Sequence, residues 1–112
     1  MYKNLYVLGT YPGKPWIAGK VNGSTLAILK SKGQQSFTVT RNSGYAAGVY
    51  DITFPAHPDG ADYVVQLCSQ INNIWVWIGA NALPVSSTGF SVVTTNSANA
   101  VADGTFYLTV LG

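Results

Sequence analysis

The chain has 112 residues, which is enough for one hydrophobic core and too short for two. Hydrophobic residues make up 47%, which excludes a disordered chain, and charged residues only 9%, so neutral polar side chains must cover the surface. The six cations are scattered rather than gathered into the basic stripe of a nucleic-acid-binding protein, and no apolar stretch of about 18 residues predicts a transmembrane helix.

Short β-like runs recur about every ten residues with turn signals between them, and helical periodicity is nearly absent. Asn22-Gly23 predicts a two-residue hairpin turn, and the two Asn residues in the segment 96–103 favour a loop. The sequence therefore predicts an all-β antiparallel sandwich, with a lead-in segment 1–14 before one domain over 15–112. The eight predicted strands cover residues 15–21, 25–30, 36–41, 49–54, 62–69, 74–79, 88–95 and 105–111.

Two of these strands are too apolar for a sheet with one face in water. The run 74–78 is apolar at every position and the run 106–111 almost so, although a two-layer sandwich can bury only one face of each. Either the second face meets another subunit, or Trp75 or Trp77 lies half-exposed under a loop. Two separate strands show the pattern, which favours the subunit interpretation. The candidates for the contact between subunits are Tyr50, Trp75, Trp77, Phe106 and Tyr107.

No combination of residues predicts an enzyme, a metal site or a cofactor. His57 is the only histidine, it stands between two prolines, and the Gly-x-Ser-x-Gly motif of a hydrolase is absent. Together with Asp59 and Asp62 it matches no standard metal-ligand spacing, so we expect a rigid loop residue.

Three other residues have structural explanations. Cys68 is alone, which excludes a disulfide within the chain, and its strand-like surroundings predict a small buried side chain. Asp51 lies on a predicted strand and is expected to pair with a lysine or with Arg41 across the sheet. Asn22-Gly23-Ser24 is formally a glycosylation sequon, and we interpret it as the hairpin turn.

Five segments, taken in order, resemble a known family. The most specific are Gly48 to Phe54, which reads G-V-Y-D-I-T-F, and the His-Pro-Asp-Gly turn at 57–60; the others are 16–21, 33–41 and 104–110. Together they resemble the jelly-roll domains of the tumour-necrosis-factor-like and complement-globular-head class. The variant they look most like sits at the fibre tips of bacteriophages and large DNA viruses. The resemblance implies ten strands in two sheets, a tight homotrimer and a role in recognition.

We therefore expect a non-catalytic, homotrimeric recognition or attachment domain at a virion fibre tip or virion surface, or otherwise extracellular. Its partners would be its own copies and a host cell-surface receptor or glycan, without nucleic acid, membrane insertion or a cofactor. Two alternatives stay open. One is a lectin-like binding module of cellular origin, and the other is a purely structural unit that trimerises or decorates a capsid.

Overall fold

A computed structural model describes residues 14–79 and 82–112, so nearly all of the lead-in segment lies outside the described residues. All eight predicted strands are confirmed, with ends that differ from the prediction by up to three residues. Within the described ranges, no helix is long and apolar enough to cross a membrane. The strands are β1 (Ile17–Val21), β2 (Ile28–Ser31), β3 (Thr38–Arg41), β4 (Val49–Thr53), β5 (Val65–Ser69), β6 (Trp75–Ile78), β7 (Gly89–Thr95) and β8 (Phe106–Val110).

The strands form two antiparallel sheets of four. Sheet 1 has the order β2-β1-β8-β5 and sheet 2 the order β3-β4-β7-β6. The hairpins β1–β2, β3–β4 and β6–β7 stay within one sheet, whereas the other connections cross between the sheets. The all-β prediction is therefore confirmed as two sheets in the arrangement of a β-sandwich. The described residues contain eight strands, where the family resemblance implied ten.

One core lies between the sheets, and the alternation of side chains along the strands builds it. Because successive residues of a strand point to opposite faces, every second residue of β1, β4, β7 and β8 points inward. Burying each large apolar side chain contributes roughly 1.5–3 kcal/mol, so this shared core holds the two sheets together. The fully buried side chains at its centre are Ile17, Val21, Tyr50, Ile52, Phe90, Val92, Phe106, Leu108 and Val110.

The predicted two-residue turn between β1 and β2 is wrong. The connection covers the six residues 22–27, and Asn22 closes it with its side chain as well as its backbone. The positive φ of 65° belongs to Leu26 rather than to Gly23. A Cβ on Gly23 would collide with the backbone oxygen of Gly104, so glycine is needed here for close packing between loops.

Candidate functional site

The structure divides the five predicted contact aromatics into two groups. Tyr50 and Phe106 are completely buried in the core, where their ring centroids are 5.3 Å apart. A side chain without accessible surface in one chain has no surface to bury against another. Only Trp75, Trp77 and Tyr107 therefore remain able to contact a partner directly.

Trp75 and Trp77 lie side by side on the outer face of sheet 2, and we call them the tryptophan patch. They are 46% and 45% exposed. Val76, which lies between them, and Ile78, which follows them, pack against the core. Strand β6 is an edge strand, paired only with β7, so no further strand of sheet 2 shields the two indoles. Half-exposed tryptophans side by side on an edge are typical of a contact surface.

Tyr107 lies on the opposite side of the molecule, on the outer face of sheet 1. Its ring is 40% exposed, and the register places Lys20 of β1 on one side of it and Cys68 of β5 on the other. Val64 and Leu111, both exposed, lie further along the same face because the alternation of β5 and β8 continues through them. We call Val64, Cys68, Tyr107 and Leu111 the tyrosine patch.

The predicted burial of Cys68 is wrong, and the reason is its register. On β5 the side chains of Val65 and Leu67 pack towards the core, so Cys68 points outward and is exposed. Gln66 is polar, exposed and two residues before Cys68, so the alternation around Gln66 is the signal that would have placed Cys68 on the outer face.

The expected pairing of Asp51 with a cation is also wrong. Arg41 lies opposite Tyr50, one residue out of step with Asp51, so their side chains lie on opposite faces of sheet 2. Asp51 instead accepts hydrogen bonds from the Ser91 hydroxyl at 2.5 Å and the Asn42 amide at 3.0 Å.

Arg41 pairs with Asp103, which the sequence analysis did not single out. One carboxylate oxygen of Asp103 accepts from the Arg41 guanidinium, the Gly48 amide and the Tyr50 hydroxyl, each at 2.8 Å. Burial raises the pKa of Asp103, but the hydrogen bonds and the charge of Arg41 outweigh burial, so the pKa is lowered below its ordinary value. Asp103 thus ties the β7–β8 loop to β3 and β4. No local sequence pattern predicts this contact, because 62 positions separate Arg41 from Asp103.

His57 is buried and fully hydrogen-bonded. Its Nε2 contacts the Leu111 carbonyl oxygen at 2.7 Å, and its Nδ1 accepts the Asp59 backbone N–H at 3.0 Å. These partners assign the proton to Nε2 of a neutral ring. The rings of Trp16 and Tyr63 pack against it, with centroids 5.4 and 5.0 Å away. Among the described residues, no three His, Cys, Asp or Glu side chains come together as a metal site.

We expect His57→Ala to lower the free energy of unfolding by roughly 2–4 kcal/mol, because it leaves a cavity and two unpaired backbone groups. The measurement is a urea titration followed by tryptophan fluorescence. Asp59→Ala is the control, since it changes an exposed side chain of the same loop and keeps the backbone donor to His57. Ligand binding by the folded variant should be unchanged. An unfolding midpoint equal to that of the wild type would contradict this structural role.

Comparison with known protein families, with curated proteins and with solved structures finds no match to this chain. The described surface therefore carries the functional interpretation. Its exposed apolar side chains include the tryptophan patch on sheet 2 and the tyrosine patch on sheet 1, together with Ile28, Leu29, Tyr45, Ile71, Val85 and Val101.

Proposed function

We propose that this chain is a non-catalytic recognition domain that acts as a homotrimer, in the manner of the jelly-roll domains it resembles, at a virion fibre tip or virion surface. The main support is the pair of exposed apolar patches on opposite faces of one small sandwich. Single exposed hydrophobic residues are ordinary, but two patches carrying aromatic rings on a chain with 9% charged residues favour self-association.

The strand order is compatible with a jelly roll. The first and last strands are neighbours in sheet 1, and β4 and β7 are neighbours in sheet 2. Long-range antiparallel pairs of this kind are what Greek-key connections produce, and a jelly roll contains two Greek keys in two packed sheets.

The two different patches favour a head-to-tail contact over a two-fold dimer, and the family resemblance selects a closed ring of three chains. A two-fold contact joins a patch to its own copy, and one patch would then stay in water. In a cyclic trimer each chain uses two different surfaces, one towards each neighbour. We place the tryptophan patch of one chain against the tyrosine patch of the next, which covers both.

A trimer suits a recognition role because it multiplies weak sites. Three sites held rigidly together bind a repetitive cell surface about 10²–10⁴ times more tightly than one. A purely structural role remains the second candidate, since closing a ring covers the apolar patches whether or not a ligand exists.

Glycan arrays and whole-cell binding with the labelled chain test the recognition role. We expect a cell-surface ligand, together with a large loss of apparent affinity in a monomeric variant such as Tyr107→Asp. If the trimer binds a virion or fibre and no cell surface or glycan, the chain is a structural unit and the recognition proposal is wrong.

A further inference from the structure

We infer that the outer face of the β1–β2 hairpin binds a sulfated polysaccharide through Lys20, Lys30 and Lys32, which we call the lysine row. This inference rests on the proposed recognition function and names its ligand class. The three lysines belong to sheet 1, beside the tyrosine patch.

The hairpin register places the three side chains on one face. Lys20 pairs directly with Lys30, and the backbone N–H of Lys32 donates to the Ala18 carbonyl at 2.8 Å, which continues the same register by two residues. Ala18 and Lys20 alternate with the buried residues of β1, so their side chains point away from the core. Their partners on the neighbouring strand, Lys32 and Lys30, point the same way. Directly opposed residues have Cβ atoms about 4.5–5.5 Å apart, so the lysine stems emerge close together.

No carboxylate neutralises these charges. The chain has only four acidic residues, and all of them lie within the described ranges. Asp103 pairs with Arg41, and this is the only ion pair among the described residues. Asp51 lies on the outer face of sheet 2. The remaining two, Asp59 and Asp62, lie in the β4–β5 loop.

Two like charges directly opposite each other destabilise an antiparallel pair. Here the repulsion acts between Lys20 and Lys30, and the Lys20 ammonium also lies 5.3 Å from the centroid of the Tyr107 ring. A bound polyanion would remove the repulsion and turn the row into a source of affinity.

The chemistry of the row favours sulfated sugar over other anions. Lysine ammonium groups are point charges on flexible stems, so each can meet a different sulfate group along a sugar chain. A protein that binds duplex DNA tightly makes about six to ten phosphate contacts. Three cations are few for such a ligand. In the proposed trimer the row occurs three times, so one long polyanion can engage several copies.

The test measures binding to immobilised heparin as a function of salt. Lys30→Gln removes one charge from the row, and Lys14→Gln removes one charge from outside it, ahead of β1, so the two variants have equal net charge. We expect Lys30→Gln to weaken binding about five-fold, and the double variant K30Q/K32Q about thirty-fold, with Lys14→Gln close to wild type. Lys20 is left unchanged because its ammonium contacts the ring of Tyr107, which belongs to the proposed trimer contact. The slope of log affinity against log salt should fall by roughly one for each lysine removed from the row.

Circular dichroism and light scattering on the same samples should show an unchanged fold and assembly in every variant. Equal losses for Lys30→Gln and Lys14→Gln would overturn the inference, as would wild-type protein that binds phosphatidylserine vesicles but not heparin.

Cell binding separates this inference from the function it rests on. If K30Q/K32Q binds cells as the wild type does, the lysine row is wrong and the recognition function stands. If the wild type binds no cell at all, the recognition function itself fails.

Discussion

In light scattering at micromolar concentration, the wild-type chain should have three times the 11.9 kDa mass of one chain. Trp77→Asp and Tyr107→Asp should each reduce this to the mass of a single chain. Each substitution removes an aromatic ring from one of the two surfaces that every contact of the ring requires and puts a carboxylate in its place. Taking that charge out of water costs several kcal/mol, even at position 107, where Lys20 lies opposite it. Ser43→Asp, in the exposed β3–β4 turn at the other edge of sheet 2 from β6, adds the same charge away from both patches and should leave the trimer intact.

A mixture of the two variants tests the geometry of the contact. Trp77→Asp chains keep an intact tyrosine patch, and Tyr107→Asp chains keep an intact tryptophan patch. If these patches contact each other, the equimolar mixture should form one-to-one pairs with twice the mass of a chain. If each patch instead contacts its own copy, Trp77→Asp alone would form dimers. That result, or a monomeric wild type, would contradict the ring.

Asp103→Ala should lower the free energy of unfolding at neutral pH by about 3 kcal/mol. The carboxylate accepts from Arg41, Gly48 and Tyr50, and hydrogen bonds to a charged group are worth about 1.5–3 kcal/mol each. The side chains of Asp103 and Arg41 are each 25% exposed, and water can replace some of the lost contacts, which keeps the cost below the sum. Asp59→Ala, in an exposed loop, should change stability by less than about 0.5 kcal/mol.

The effect of Asp103 should depend on pH in a defined direction. Its pKa in the folded chain lies below its ordinary value, so the ionised form stabilises the fold. That contribution is fully present above about pH 5, starts to fall near the unfolded pKa of about 3.9, and is lost as the pH drops through the lower folded value. Urea midpoints of wild type and Asp103→Asn should therefore converge under acid conditions. Two curves that stay parallel from neutral pH to acid would show that the charge of Asp103 has no part in stability.

Composition and alternation were enough to predict the all-β class, the number of strands in the described residues and much of the core. Alternation with period two follows from the geometry of an extended backbone, so it is visible locally. In the run 49–54, Tyr50, Ile52 and Phe54 stand at alternate positions, and all three are buried. The loop over 96–103 was also correctly predicted, because Asn and Gly have local turn preferences.

Which face of the apolar strands points outward depends on how the two sheets pack together. In the run 74–78 every residue is apolar, so the pattern cannot separate Val76 inside from Trp77 outside. Tyr50 and Phe106 were candidates for the surface for the same reason, and the packing of one sheet on the other buried both.

The charged groups depended on pairing between distant strands. Arg41 contacts Asp103, 62 positions away, because the β7–β8 loop packs against β3 and β4. No local sequence pattern predicts that packing. The lysine row depends on the β1–β2 register, in which Lys20 pairs with Lys30. The predicted two-residue turn at Asn22-Gly23 would have given a different register. Local composition determines which segments become strands, whereas contacts between strands far apart in sequence decide which side chains meet.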